Sequence, residues 1–368
     1  MGGNALNGIR HTRRFSAAEY HPLVSDVLGR VQTIVGPNRR AAVIPAYRAK
    51  ESFGDMDVLV EVTDGSAFDF RHSLARAFGI DYLVSDGSPV NQLDAPVEAE
   101  VAVRTVAQLA ASGKTYSFAF NELQVDILPT SPLAFDTSLS YYGYNDCGNL
   151  LGRVVHSFGM KLGHLGLLYP FKSGTHEFTE LLVERDWRTI LPAFGWQYET
   201  WAAGFDTLED IFRFVASTPF FNPDIFQLHN RNAKSRVRDR KRTSYKGFLA
   251  WLEEQPAGSL PAYPYDAAKD KYLPMLMERL EGCGFRERYA ATAAEFRNWN
   301  EARARFCGEV VRDWSGLDGR DLAGLMTDVR TAMGSNPAEV QAYVLSHSDA
   351  QLKELVTQWS RQRLNAAV

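Results

Sequence analysis

Cysteine is scarce in this chain: three residues in 368, Cys147, Cys283 and Cys307, odd in number and widely spaced. Such a set makes neither a zinc-ligand pattern nor a disulfide framework, and it fits a reducing compartment. No apolar run reaches the roughly 18 residues of a membrane span, and the polar start lacks a signal-peptide core. The expectation is a soluble, cytoplasmic protein with no membrane partner. Excess charge is missing too. With 40 Lys and Arg against 44 Asp and Glu, the net charge of −4 makes the whole chain no bulk polyanion binder, so any nucleic-acid footprint must be local. There is no internal repeat and no long low-complexity tract, which sets aside solenoid and disordered classes. What is present, 45% hydrophobic and 12% aromatic residues, can build sizeable cores, and the length suggests two domains.

The stretch Ser52-Phe53-Gly54-Asp55-Met56-Asp57-Val58-Leu59-Val60 carries the most information. Two carboxylates stand one residue apart at the head of an aliphatic run that reads as a buried strand. Alternation along a strand points Asp55 and Asp57 to one face and Met56 to the other. Like charges on one face repel, and a shared divalent cation relieves them. Carboxylate oxygens without Cys or His neighbours suit Mg²⁺ or Mn²⁺ better than zinc. Gly54 lets a phosphate or another backbone approach closely. Taken alone, the pair reads equally well as an edge strand whose acids face water.

A third carboxylate tips that balance. Residues 115–120 and 123–129 are two alternating runs around Asn121-Glu122, a hairpin pattern whose break lacks the favoured glycine. Asp126 falls where apolar neighbours predict a core strand, and a charge there needs a partner. If this strand lies beside the Asp55–Asp57 strand, the three carboxylates converge and can hold two metal ions for in-line phosphoryl transfer.

These residues resemble a known family. Arg48-Ala49-Lys50-Glu51-Ser52-Phe53-Gly54-Asp55-Met56-Asp57-Val58-Leu59-Val60 is similar to the palm motif of the family X DNA polymerases, in the DNA polymerase beta-like nucleotidyltransferase superfamily. Val125-Asp126-Ile127-Leu128-Pro129 resembles the third-carboxylate strand. Tyr141-Tyr142-Gly143-Tyr144-Asn145-Asp146-Cys147-Gly148-Asn149, followed by residues 156–169, is similar to the nucleotide-binding turn and the helix after it. Thr207 to Phe212, with Pro219 and Pro223, resembles the end of the thumb. The likeness spans residues 35–226. It implies an enzyme with two Mg²⁺ (or Mn²⁺) ions, Asp55 and Asp57 ligating both and Asp126 binding the catalytic one while helping to deprotonate the attacking hydroxyl. It further implies Arg48, Ser52 and Gly54 at the triphosphate, and Tyr141, Asp146 and Asn149 along the sugar and base. Three features depart from the pattern. The usual Gly-Ser pair is Ile44-Pro45, leaving Arg48, Lys50 and Ser52 to compensate at the triphosphate. The small turn after the aromatic pair is Gly143-Tyr144-Asn145, from which weak NTP-versus-dNTP discrimination is expected. Only about 35 residues precede the palm, which argues against a gap-filling repair enzyme with upstream DNA-binding domains.

Helices are expected at 21–35, 70–78, 98–111, 149–158, 187–190 and 205–215, with a first strand at 39–46 and helices on one side of a mixed sheet. One segment outside the resemblance carries chemistry. Residues 231–246 hold eight basic side chains and one Asp, a local charge of +7 in an otherwise acidic chain. Lys234, Arg236, Arg238, Arg240, Lys241 and Arg242 are the candidate nucleic-acid contacts, since arginine grips phosphate bidentately. The alternative is a solvated helix face or a clamp on acidic residues. The apolar spacing of Tyr245, Phe248, Leu249 and Leu252 docks its end. Beyond the proline-rich stretch 256–264 the chain reads as helix, with capping signals at Asn336-Pro337-Ala338-Glu339 and Ser348-Asp349-Ala350-Gln351.

The reading is therefore an α+β protein. Residues 1–226 form a polymerase-beta-like palm and thumb, 227–265 a basic helix and linker, and 266–368 a helical C-terminal region. It would move an NMP or dNMP from a nucleoside triphosphate to a hydroxyl, with a DNA or RNA 3′ end as the favoured acceptor. The alternatives are a transferase acting on a protein or small molecule, and a non-catalytic nucleic-acid-binding protein. His156, His164 and His176 read as ordinary core or surface histidines, Cys147 as no nucleophile, and Trp196, Tyr198 and Trp201 as packing residues rather than base-stacking ones.

Overall fold

The computed structural model describes residues 5–62, 70–80, 83–85, 88–90 and 115–366. The helix expected at 98–111 lies outside them. The fold is mixed α+β and divides into two compact units, residues 1–169 with 182–283, and residues 170–181 with 284–368.

In the first unit, β1 (Phe15–Ser16) leads into α1 (Ala17–Val35). The helix begins four residues before its expected start because Ser16 and Glu19 form a reciprocal capping box, satisfying two free N–H groups. β2 (Ala41–Val43), β3 (Ser52–Phe53) and β4 (Asp55–Glu61) follow, then α2 (Phe70–Phe78), β5 (Leu83–Ser85), β6 (Ser88–Val90), β7 (Tyr116–Phe120) and β8 (Leu123–Thr130). β1 pairs with β3, while the others form one sheet in the order β2-β4-β8-β7-β5-β6. Only the β4–β8 pairing is parallel among the described ladders of this sheet. The β7–β8 turn places Asn121 at φ 49° and Glu122 at φ 66°. Both positive values make a turn whose twist matches the strands, reached without glycine.

Alternation sorts β4 and β8 into two faces. Met56, Val58 and Val60 join Val125 and Ile127 in a core closed by Val27, Val31 and Val35 of α1 and by Leu74 and Phe78 of α2. The other face carries the acids. It also takes a helix, α3 (Phe135–Tyr142), tied to the end of β8 by the Ser138 and Thr130 hydroxyls at 3.2 Å. Helices thus lie on both faces of the sheet, not on one.

α4 (Cys147–Ser157) packs close to α3 because Gly148 has no Cβ; one there would run into the Tyr141 carbonyl. Residues 161–184 then form strands β9 (Lys161–Gly163), β10 (Gly166–Ser173) and β11 (His176–Glu184) in an antiparallel sheet that the sequence pattern does not announce. Helices α5 (Trp187–Ala193), α6 (Tyr198–Ala202), α7 (Leu208–Ala216), α8 (Ala233–Asp239), α9 (Thr243–Glu254) and α10 (Leu273–Arg279) complete the unit. The proline-rich stretch 256–264 belongs to it as well.

The second unit joins the hairpin tip 170–181 to α11 (Phe285–Arg305), α12 (Gly308–Ser315), α13 (Gly319–Met333), α14 (Pro337–Ser346) and α15 (Asp349–Ala366). Leu325, Val329, Val344, Leu352 and Val356 anchor its helical core. Asn336 caps α14 by accepting from the Ala338 and Glu339 amides, as the sequence signal indicates. No helix among the described residues is long and apolar enough to cross a membrane.

Candidate active site

Strand register builds the acidic centre. Asp57 stands opposite Asp126 and Asp55 opposite Gln124. Paired residues of neighbouring strands share a face, so these four side chains project together. Asp55, Asp57 and Asp126 each bring an oxygen within 4.8 Å of the others, a group that could hold a metal ion. Among the described residues no other three His, Cys, Asp or Glu side chains do so. The donor set is carboxylate oxygen alone, which fits a hard divalent cation.

The charges raise one another's proton affinity. Removal from water, then the proximity of Asp55 and Asp126, push the Asp57 carboxyl well above its ordinary range, with Lys50 opposing. Burial raises Asp126 to about 6, against hydrogen bonds from Ser117 and Gln124 that favour its charged form. Gln124 is buried, and its Nε2 donates to both Asp126 oxygens at 2.9 and 3.0 Å. Its own oxygen accepts the Ala5 amide at 3.0 Å, so the N-terminal segment braces the third carboxylate. Lys50 is lowered by its burial while Asp55 and Asp57 pull it back up, and its ammonium sits 4.6 Å over the Phe53 ring.

Asp55 and Asp57 line a cavity of about 610 Å³ whose other side is basic. Arg238, Lys241 and Arg242 line it, together with Lys50, Tyr141, Tyr142, Asn145, Asp146, Asn149 and Ser244. The two helices of the basic segment are held there by α4. Arg242 and the Ser244 hydroxyl both bind the Asp146 carboxylate, and Arg238 donates to Asn149 Oδ1 at 3.0 Å. Asn149 Nδ2 is buried without a hydrogen-bond partner. A buried pair, Arg231 with Asp239 at 2.6 Å, fixes the start of the segment. Tyr141, Asp146, Asn149, Arg238, Lys241 and Arg242 therefore meet Asp55 and Asp57 in one cavity.

Other expected contacts fall elsewhere. Arg48 is tied to Asp206 and to the Ala203 carbonyl (2.9 Å), and it lines a different cavity. The Ser52 hydroxyl accepts from Arg14 at 2.8 Å, outside the acidic cavity, and Gly54 joins β3 to β4 without lining it. Lys234 and Arg240 are exposed beyond the cavity, while Arg236 donates to the Arg231 carbonyl at 3.0 Å. The turn after the tyrosine pair also differs from expectation. Gly143 has an ordinary φ of −58°, and it is Tyr144 (φ 55°) and Asn145 (φ 62°) that occupy the left-handed region. The Tyr144 amide donates to the Pro45 carbonyl at 2.7 Å, and its ring packs edge-on against Phe205, which holds the uncommon conformation.

Cys147 is buried and its thiol is pushed up by that burial, which leaves it no reactive thiolate. Trp196 is buried and donates to the Val215 carbonyl at 3.2 Å, a packing role. Sequence reasoning gave no role to Gln124, Ser117 or Ser244. Gln124 had a legible signal, a buried-strand amide two residues from Asp126 and hence on its face.

No protein-family model matches the chain, and no curated protein matches it closely.

Proposed function

We propose that the protein is a nucleotidyltransferase of the DNA polymerase beta-like kind, moving a nucleoside monophosphate from an NTP or dNTP to a hydroxyl on a nucleic-acid 3′ end. The observation that carries this reading is the cavity lined by Asp55 and Asp57, with Asp126 converging on them, and by Arg238, Lys241 and Arg242. A polyphosphate has the charge for the basic wall, and its reacting phosphorus belongs near the acids.

Asp55, Asp57 and Asp126 would hold Mg²⁺ or Mn²⁺, two ions by the family pattern, and such ions neutralise charge building on the attacked phosphorus. The chain's own residues supply the rest. Arg238, Lys241 and Arg242 grip the β- and γ-phosphate oxygens, with Asp146 and Asn149 presetting the two arginines. Arg48, tied to Asp206, leaves that task to them. The acceptor oxygen bonds to the α-phosphorus, the bond to the bridging oxygen breaks, and its electron pair leaves with pyrophosphate. The hydroxyl proton passes to Asp126, the carboxylate that stands beside Asp57 in the strand register.

The test is incubation with each labelled NTP and dNTP, with and without short DNA and RNA primers, in Mg²⁺ or Mn²⁺. Label moves onto a primer with wild-type protein and not with Asp57→Asn. Transfer by Asp57→Asn, or by protein stripped of divalent ions, would overturn the mechanism. Label on protein or on a small hydroxyl compound alone would keep the chemistry and replace the acceptor.

A further inference from the structure

α3 serves two cavities. Its last residues, Tyr141 and Tyr142, line the acidic one. Asp136, Leu139 and Ser140 line another, of about 610 Å³, a size that holds a small molecule. Arg185, Trp187, Arg188 and Tyr198 supply much of the remaining lining, and all of it belongs to the first unit.

The donors of this lining are short of acceptors. Arg185 has its Nε buried with no hydrogen-bond partner, and its guanidinium forms no ion pair among the described residues. Trp187 is buried, and its indole N–H likewise has no partner. Arg188 is exposed, stacks on the Tyr198 ring at 5.4 Å and forms no ion pair among the described residues. Buried donors nearly always meet an acceptor in a folded protein, so a ligand that fits here brings one.

The nearby acids are engaged, and they limit the charge such a ligand can carry. Both Asp136 oxygens accept from Arg40, at 2.9 and 3.0 Å, and Arg40 also binds the buried Glu61. Asp186 Oδ1 accepts the Arg188 amide at 2.9 Å, and Glu184 accepts the amides of Arg185 and Asp186 at 2.6 and 2.9 Å. Arg40, Arg185 and Arg188 thus stand against four carboxylates, and no excess positive charge draws in a polyanion. A single carboxylate suits the planar guanidinium fork and adds one negative charge where a phosphate dianion adds two. The apolar part of the lining is Leu133, Leu139 and Tyr198. Leu133, at 75% the most exposed large apolar side chain among the described residues, gains from any apolar body that covers it.

We propose that this cavity binds a small organic monocarboxylate, its carboxylate paired with the wall's arginines and its apolar body against Leu133, Leu139 and Tyr198. The site stands apart from the transferase reading, since none of its lining residues lines the acidic cavity.

The probe is naphthoate, with acetate, naphthamide and naphthyl phosphate as partial matches, and affinities are read by ligand-observed NMR titration of the full-length protein. Naphthoate should bind with millimolar or tighter affinity, and acetate and naphthamide at least about 10-fold more weakly. Arg185→Gln and Arg188→Gln should each weaken naphthoate about 10-fold. Arg188 lies at the surface, so its variant keeps the test valid should Arg185→Gln fail to fold. Leu133→Ser should weaken naphthoate about 3-fold, and Lys241→Gln, a change in the acidic cavity, should leave naphthoate binding as it is. Naphthoate that does not bind at millimolar concentration, or that binds the folded arginine variants as well as wild type, would overturn the site. Loss of binding in Lys241→Gln would do the same, because it would put the anion in the acidic cavity. Equal affinity for naphthamide would overturn the role of the carboxylate, and tighter binding of naphthyl phosphate would overturn the monocarboxylate class. An unaffected Leu133→Ser would overturn the placement of the apolar body.

Discussion

At Asp57 two forces act in the same direction: removal from water and the closeness of Asp55 and Asp126 both favour the protonated carboxyl. Asp126 shares that bias, raised to about 6 by burial. Both groups bind protons more tightly folded than unfolded, so they stabilise the metal-free fold at low pH. That contribution is complete below about 4, where unfolded carboxyls also protonate, and is lost as pH rises through about 6 for Asp126 and still higher for Asp57. For Asp126 alone it amounts to ~3 kcal/mol. Urea midpoints measured in chelator should therefore fall between pH 5 and pH 8, and saturating Mg²⁺ should reduce the fall, because the ion takes the place of the protons. A profile unaffected by Mg²⁺ would show that the acids bind no divalent ion. Lys241 gives a second prediction at this scale. Replacing it with Gln removes a cation from the cavity wall without unpairing Asp146 or Asn149, which Arg242 and Arg238 hold. Nucleotide KM should rise about 10-fold with kcat little changed, the pattern of a charge-assisted hydrogen bond made equally in ground and transition states.

Among the elements, the β7–β8 hairpin is held at a local cost. Glu122 adopts φ 66°, in a region that costs a side-chain-bearing residue about 1–2 kcal/mol, and it recovers part of this through an exposed pair with Arg13 at 3.1 Å. Glu122→Gly should stabilise the protein by about 0.5–1 kcal/mol in urea melts, after allowance for the lost pair and the added flexibility of the unfolded chain. A loss of stability would mean that the Arg13 contact outweighs the backbone strain. The same hairpin shows what a sequence can disclose. Its strands and the placement of Asp126 were legible because a carboxylate is costly inside an alternating buried run unless it meets donors or a cation there. The start of α1 was obscured because Pro22 imitates a first-turn proline and so hides the Ser16–Glu19 box upstream. The β9–β11 sheet was missed because Pro170 and the glycines at 163, 166 and 174 obscure the alternation. In the site, the acids could be read from local spacing. Their pairing with Arg238, Lys241 and Arg242 depends on α4 meeting the basic segment some 90 residues later, which no local pattern encodes.

For the whole molecule, the division into units is not a cut between two stretches of chain. The tip of the β10–β11 hairpin belongs to the second unit, where Phe171 packs on Tyr289 and Phe296, and Phe178 on Phe296 and Trp299, with ring centroids 5.2–5.7 Å apart. A chain ended at Cys283 would keep every residue of the acidic cavity and strip Phe171 and Phe178 of their ring contacts with Tyr289, Phe296 and Trp299. Such a protein should bind a hydrophobic dye strongly and self-associate, and Phe171→Ser with Phe178→Ser should restore its solubility. If the shortened chain stays monomeric and dye-free, these aromatics do not depend on α11 for cover.

The parallel pairing of β4 with β8 also has a consequence during synthesis. Roughly 70 residues separate Asp57 from Asp126, and that loop must close before the two strands meet. Until β8 has left the ribosome, β4 has one edge open, with Val58, Leu59 and Val60 exposed to any strand of like sequence. Asp55 and Asp57 sit at the head of that edge. A second nascent copy aligning in register would set two carboxylates against two others, with nothing to neutralise them. The charges that make the finished fold less stable without its cation thus guard the unfinished one against itself, and a variant relieved of them would gain in equilibrium stability what it lost in safe passage through folding.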